Sequence, residues 1–123
     1  MKLSPHFSAS EFACRCGCGL SDVSPVLIST LELIRDKLGG KRITVLSGRR
    51  CAAHNRNVGG AKNSQHLLGT AADIQVQGMT PQQIYDAIEA IDDKKLAHIG
   101  GLGLYPTFVH IDIRIGKARW LQS

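Results

Sequence analysis

The chain has 123 residues, of which 43% are hydrophobic, so it can build the core of one compact domain over residues 1–123 and leaves no room for a second. Its 15 Lys and Arg residues exceed its 10 Asp and Glu residues, which favours polyanionic partners in general, while an aromatic content of 5% argues against a stacking surface for single-stranded nucleic acid. No apolar run approaches the ~20 residues of a membrane span, and no signal-peptide core follows residues 1–5, so we expect synthesis in the cytoplasm.

Helix signals occur at three places along the chain. In residues 1–20, a segment that also contains three cysteines, Ser8 and Glu11 have the spacing of a capping box and predict a short helix. Ser24 and the proline after it predict the start of a longer helix that ends at a pair of glycines. Thr80 and its following proline predict a third helix with its own capping box. The apolar stripes of the two longer helices are assigned to the core.

Strand signals alternate with these helices. Residues 42–47 form a β-branched run, and the glycine-rich residues 100–106 lack the lysine and helix of a phosphate loop, so they are interpreted as a strand and tight turn. Two further stretches alternate apolar and polar residues, which predicts strands with one polar face each. Those faces carry Ala71, Asp73 and Gln75 in the first stretch and Phe108, His110, Asp112 and Arg114 in the second. Residues 115–123 are predicted to form a short basic tail.

Three of these polar residues have the chemistry of a metal site. His66 precedes a glycine turn that runs into the strand carrying Asp73, and His110 lies on the second polar strand. Two imidazoles and a carboxylate are a common ligand set for a catalytic zinc ion that keeps a fourth position open. The prediction requires that the two strands lie side by side, which the sequence alone does not establish.

The order and spacing of these residues resemble a known enzyme family. The resemblance is carried by Ser47-Gly48-Arg49-Arg50, Asn55, Gly59-Gly60, the run Ser64-x-His66-x-x-Gly69-x-Ala71-x-Asp73, and His110. These motifs are similar to those of the zinc D-Ala-D-Ala carboxypeptidase and peptidoglycan endopeptidase family, over roughly residues 4–115. The resemblance implies an α+β fold of the hedgehog-like type, with a small central antiparallel sheet flanked by helices, in the compact form found in phage lysis cassettes and bacterial envelopes.

The resemblance also implies roles for individual residues. It implies that the two histidines and the aspartate above hold one catalytic zinc ion. Arg50 is expected to hold a substrate carboxylate or to polarise the scissile carbonyl, a task that suits a guanidinium fork. Ser64 is expected to hydrogen-bond substrate. The sequence departs from the family at Arg49, where an aromatic residue is frequent.

The pattern does not identify the general base. Many relatives carry a carboxylate three residues before the last histidine ligand, but here that position is Thr107 and Phe108 follows it, and neither can titrate. Asp112 is the candidate, because strand alternation puts it on the same face as His110. Three roles stay open for Asp112: general base, acceptor that orients a ligand histidine, and partner of Arg114.

The cysteines allow three interpretations. Cys14, Cys16, Cys18 and the distant Cys51 could hold a second, structural zinc ion, although the spacing differs from the usual Cys-x-x-Cys. A disulfide between the N-terminal cluster and Cys51 could form after export. Free thiols in a reducing cytoplasm are the third possibility.

These observations predict a monomeric zinc peptidase that hydrolyses a bond in peptidoglycan stem or cross-link peptides, as a D-Ala-D-Ala carboxypeptidase or an endolysin-type endopeptidase. We expect it to act on the cell wall after release in phage lysis or export by another route, with its +5 charge attracting anionic wall polymers. The alternative is a catalytically silent, metal-binding wall or virion structural module. A small nucleic-acid binder built on the cysteines would leave the predicted zinc ligands unexplained.

Overall fold

The computed structural model describes residues 1–91 and 98–122, which form an α+β fold with two sheets. The helices are α1 Pro25–Lys37, α2 Ala52–Asn57 and α3 Pro81–Glu89. The strands are β1 Lys2–Ser4, β2 Phe7–Ser8, β3 Ile43–Ser47, β4 Ala71–Val76, β5 Gly101–Leu104, β6 Val109–Asp112 and β7 Ala118–Leu121. None of the described helices combines the length and apolar character needed to cross a membrane.

The helices α1 and α3 begin directly after the capping residues that predict them. The Ser24 side chain accepts a backbone hydrogen bond at the start of α1, and Thr80 forms the predicted capping box of α3. The first predicted helix is present as a short 3-10 helix over Ala9–Phe12, and the Glu11 carboxylate accepts the Ser8 N–H at 2.7 Å, as the capping box requires. A capping box therefore fixes where this turn starts without making it continue as an α-helix.

The main sheet has the order β3-β4-β6-β5-β7. Its first three pairings are antiparallel, as predicted, but β5 and β7 pair in parallel, so the sheet is mixed. The region predicted to be a basic tail contains β7. After β6 the chain turns at Gly116, whose φ is +88°, and joins the edge of β5 that β6 does not use. An open strand edge thus orders a segment whose composition alone looks like a tail.

One face of the main sheet builds the core, and the other presents polar residues. The buried cluster joins α1 and α3 to the apolar positions of the strands: Leu27, Leu31, Ile34, Ile84, Ile88, Ala72, Ile74, Leu102, Val109 and Ile111. Side chains alternate along a strand, so their neighbours in sequence lie on the opposite face. That second face carries the site.

Candidate metal centre

The pairing of β4 with β6 brings the two predicted strands together. Asp73 lies directly opposite His110 in the antiparallel register, so the two side chains share one face. His66 comes from the 3-10 turn Gln65–Leu68 just before β4. Gly69 ends this turn with φ +72°, and a Cβ there would lie 2.7 Å from a backbone oxygen of the loop before α1. The prediction that the strands are neighbours is confirmed.

The three side chains converge on one point. His66 Nε2 lies 3.1 Å from Asp73 Oδ1, and His110 Nδ1 lies 3.0 Å from the same oxygen. All three residues are buried, with exposed fractions of 2%, 6% and 7% for His66, Asp73 and His110. One ligand atom from each lies within 4.8 Å of the others. Tetrahedral zinc with bonds of about 2.0–2.1 Å has ligand separations of about 3.3 Å, so these positions suit one ion.

Each histidine has a second ring nitrogen that faces away from Asp73, and the hydrogen bond of this nitrogen determines where the ring proton lies. His66 Nδ1 lies 2.7 Å from the Gly48 carbonyl oxygen, which can only accept, so the network assigns the ring proton to Nδ1. His110 Nε2 lies 2.8 Å from Asp112 Oδ2, which assigns its proton to Nε2. In these tautomers the other nitrogen of each ring directs a lone pair at the Asp73 carboxylate. Three acceptors that face one another in a buried site are stabilised by a positive charge among them, which a bound metal ion would supply.

Ionisation of the site fits this donor set. Burial by itself would raise the pKa of Asp73. When protons on the ring nitrogens take the place of a metal ion, hydrogen bonds from His110 and His66 lower that pKa to about 2. Burial would lower the pKa of His110, and its contacts with Asp112 and Asp73 outweigh that effect and raise it. The carboxylate is therefore ionised, as a metal ligand must be.

Asp112 is fully buried beside the outer nitrogen of His110. Its oxygens accept from the Gly101 N–H at 2.9 Å and from the Arg114 guanidinium at distances from 2.6 to 3.1 Å, in addition to facing His110. Burial would raise its pKa, but the hydrogen bonds from His110 and Arg114 hold that pKa well below the usual range. This position suits the orienting role better than the role of general base, which stays a prediction.

Arg50 lies between β3 and α2, next to the centre. Its guanidinium donates to Asp73 Oδ2 at 3.4 Å, to Ser47 Oγ at 3.2 Å and to Asn55 Oδ1 at 3.1 Å. Its backbone N–H donates to the His66 carbonyl at 3.0 Å. A guanidinium has five N–H donors, so this anchoring leaves donors free. Arg50 lines the cleft, where they can meet a ligand.

The centre opens into a cleft of about 700 Å³. Ser64 lines it, and its hydroxyl accepts the His66 N–H at 3.2 Å while capping the 3-10 turn. Among the cleft-lining residues that the structure describes, Asp73 is the only carboxylate. Thr107, the position at which the family resemblance leads one to expect an acid, accepts a hydrogen bond through its carbonyl from the Gln75 side chain at 2.8 Å.

An aromatic wall forms another side of the cleft, and the sequence patterns place only its Phe108 on the site face. Tyr105 and Phe108 stack with ring centres 4.5 Å apart, and the Trp120 indole N–H donates to the Tyr105 hydroxyl at 3.0 Å. Trp120 also lies 5.1 Å from the His110 ring and 5.2 Å from the Arg114 guanidinium. Trp120 is the single tryptophan of the chain, and this is the only sequence signal that could have pointed to a role in the cleft. The basic residues around it favour the prediction of a tail.

The amino-acid sequence of the chain is similar to those of two known proteins. The chain is 50% identical over 44 residues to the zinc D-Ala-D-Ala carboxypeptidase of Streptomyces albus G, covering 36% of this chain and 17% of that protein. It is 31% identical over 99 residues to the "Probable peptidoglycan L,D-endopeptidase MepK" of Haemophilus influenzae, covering 73% of this chain and 50% of that protein. The chain thus spans half or less of the length of these two relatives.

The family match itself extends over most of the chain. Residues 5–112 match the sequence model of the family described as Peptidase M15. The matched segment begins before β2 and ends with β6, so it includes the turn that carries His66 and both strands that carry Asp73 and His110. In agreement with the resemblance seen in its motifs, the chain belongs to the peptidase M15 family.

Proposed function

We propose that this chain is a zinc-dependent peptidase that hydrolyses a peptide bond in the stem or cross-link peptides of peptidoglycan. The observation that carries the proposal is the convergence of His66, Asp73 and His110 at the base of an open cleft, with Arg50 beside them. The names of the two relatives support zinc and peptidoglycan peptides as metal and substrate. The proposed place of action is therefore the cell wall.

The proposed zinc ligands are His66 Nε2, a carboxylate oxygen of Asp73 and His110 Nδ1. When bound, zinc supplies a Lewis acid that polarises a carbonyl and lowers the pKa of water. The Gly48 carbonyl and the Asp112 carboxylate hold the two imidazoles in the tautomers that leave these nitrogens unprotonated. In this scheme Asp112 is a positioning residue, and a direct role as general base is the competing hypothesis.

Arg50 and Ser64 are the proposed substrate-binding residues. Three hydrogen bonds fix the Arg50 guanidinium, so its remaining N–H groups meet a substrate carbonyl or carboxylate at low entropic cost. Ser64 lines the same cleft and has a hydroxyl proton to donate while its oxygen accepts the His66 N–H. The aromatic wall of Tyr105, Phe108 and Trp120 offers apolar surface for the aliphatic parts of a stem peptide.

The test is digestion of isolated peptidoglycan with analysis of the products by mass spectrometry. We expect cleavage that stops on chelation and returns with zinc. Released D-alanine would identify a carboxypeptidase, whereas cut cross-links or shortened stems would identify an endopeptidase. His66→Ala should abolish cleavage, and His54→Ala is the matched control because His54 does not line the cleft.

Two results would contradict the proposal. The wild-type protein could bind zinc and walls without cutting either walls or purified stem peptides, which would indicate the silent binding module instead. Alternatively, His66→Ala could cleave as fast as the wild type. A further comparison tests the role of the +5 charge, since we expect cleavage of walls stripped of anionic polymers to be slower at low salt.

A further inference from the structure

A second group of metal-ligating side chains lies outside the cleft. Cys14, Cys16 and Cys18 come from the loop after the first 3-10 turn, and Cys51 precedes α2. We refer to these four residues as the thiol cluster. None of them lines the cleft described above. Their Sγ atoms nevertheless all lie within 4.8 Å of one another, although Cys51 is 33 residues beyond Cys18 in the chain.

The sulfur separations match those of a tetrahedral thiolate site. Cys14 Sγ lies 3.4 Å from Cys16 Sγ and 3.8 Å from Cys51 Sγ, and the Cys16 and Cys51 sulfurs are 3.7 Å apart. A tetrahedron with zinc–sulfur bonds of about 2.3 Å has edges of about 3.8 Å. A disulfide would bring one pair to about 2.05 Å and leave the other two thiols without a shared role. In the structure all four cysteines are free.

The backbone around the thiol cluster is folded to direct the sulfurs inward. Gly17 and Gly19 have φ of +84° and +89°, which allows the turns that a Cys-x-Cys-x-Cys spacing needs to place three sulfurs on one centre. Backbone N–H groups also point at the sulfurs: Cys51 N donates to Cys14 Sγ and His54 N to Cys51 Sγ, each at 3.4 Å. Such donors stabilise thiolates bound to metal.

We propose that the thiol cluster binds a second zinc ion with a structural role. Four protein thiolates fill a tetrahedral shell and leave no open position, which is the arrangement of structural zinc sites. The proposal goes beyond the peptidase function and does not depend on it. It also selects one of the three cysteine states that the sequence leaves open.

The position of the thiol cluster indicates which two segments the second zinc ion would hold together. It joins the N-terminal loop to the junction between β3 and α2, where Arg50 is the residue before Cys51. The same loop already contacts β3 through Arg15, which donates to the Val45 and Leu46 carbonyls at 2.9 and 3.1 Å. A zinc ion here clamps the loop to the strand end that presents Arg50 to the cleft. Cys16 and Cys18 are exposed, so metal can reach the site.

The experiment counts zinc by elemental analysis in the 123-residue protein purified under reducing conditions. We expect two zinc ions per chain in the wild type and one in each of two variants, His66→Ala and the double variant C16S/C18S. Two zinc ions in the wild type with a single one lost from each variant would assign one ion to each site. A wild type with one zinc ion and a zinc-free His66→Ala variant would overturn the proposal.

Cobalt substitution keeps the test decisive if C16S/C18S fails to fold. The His66→Ala variant retains the thiol cluster, so its cobalt form should show the intense charge-transfer absorption of thiolate–cobalt bonds in the near ultraviolet. That band should disappear when zinc displaces cobalt. Its absence from the folded, cobalt-treated His66→Ala variant would refute the site, and so would a mass reduced by two hydrogens that reports a disulfide in reductant-treated protein.

Discussion

Replacing Asp112 with asparagine separates an orienting role from a role as general base. Asp112 Oδ1 accepts from the Gly101 N–H at 2.9 Å and Oδ2 accepts from His110 Nε2 at 2.8 Å. If the amide oxygen keeps the contact with Gly101, the amide nitrogen faces His110 Nε2 and donates to it. The ring proton then moves to Nδ1, which is the proposed ligand nitrogen. The substitution is nearly isosteric, yet it reverses the tautomer of a metal ligand.

The interactions of Asp112 with His110 and with Arg114 set the size of the effect. Loss of an outer-shell partner typically lowers metal affinity about 10–100-fold, so we expect the dissociation constant for zinc to rise by that factor in Asp112→Asn. The amide also leaves Arg114 without its carboxylate. Breaking a buried ion pair costs about 3–5 kcal/mol, but the Arg114 side chain is 34% exposed, so solvent reduces the expected loss of unfolding free energy to about 2 kcal/mol.

The assay measures zinc affinity by competition with a chromophoric chelator, and peptide hydrolysis at saturating zinc. We expect weak binding, with hydrolysis largely restored once the site is filled. Asp86→Asn is the matched control, because Asp86 is exposed on α3 and accepts only a side-chain hydrogen bond from Gln82 at 2.9 Å. Unchanged zinc affinity together with abolished hydrolysis at saturating zinc would refute the orienting role and identify Asp112 as the base.

Three further changes test other parts of the structure. Arg50→Lys should lower kcat/KM about 10–100-fold at unchanged zinc content, because an ammonium cannot reproduce the anchored fork; equal kinetics would contradict this role. In Gly103→Ala the new Cβ would lie 2.4 Å from the indole of Trp120, so we expect altered tryptophan fluorescence and an unfolding free energy lower by about 1–3 kcal/mol. Burial would raise the pKa of Glu32, but hydrogen bonds from Ser4 and His6 lower it overall. The ionised Glu32 side chain therefore stabilises the fold at pH values above its unfolded pKa. This stabilisation is lost as pH falls through the folded pKa. Glu32→Gln should therefore cost about 1 kcal/mol at pH 7 in urea unfolding, and this cost should shrink as pH falls from the unfolded pKa through the lower folded pKa. A cost that grows at low pH would refute the assignment.

The parts of the fold that could be predicted are those specified by neighbouring residues. Ser24 and Thr80 cap the helices that their spacing predicts. The alternation through Asp73 and His110 assigns each to the polar face of its strand. Local signals of this kind act over a few residues, and tertiary packing agrees with them here.

The pairing of strands is not local, and the sequence leaves it open. The position of Ser47 is an example. Val45 pairs with Ile74, so a regular ladder would put Leu46 opposite Asp73, but a register shift puts Ser47 there instead. The extra residue turns Ser47 to the site face, where its hydroxyl accepts from Arg50 at 3.2 Å. No pattern in the sequence marks this irregularity.

The sequence predicts the strand β5 correctly but does not show why that strand contains two glycines. The sequence predicts a strand in this region, yet glycine is a poor strand former and signals turns more often. The partners across the sheet supply the reason. Gly101 pairs with Asp112, and a Cβ there would lie 2.2 Å from the carboxylate; Gly103 pairs with Trp120, whose indole lies over it. These positions lack side chains because the groups that hold and border the metal centre occupy their space, so the glycines of β5 belong to the site as much as to the sheet.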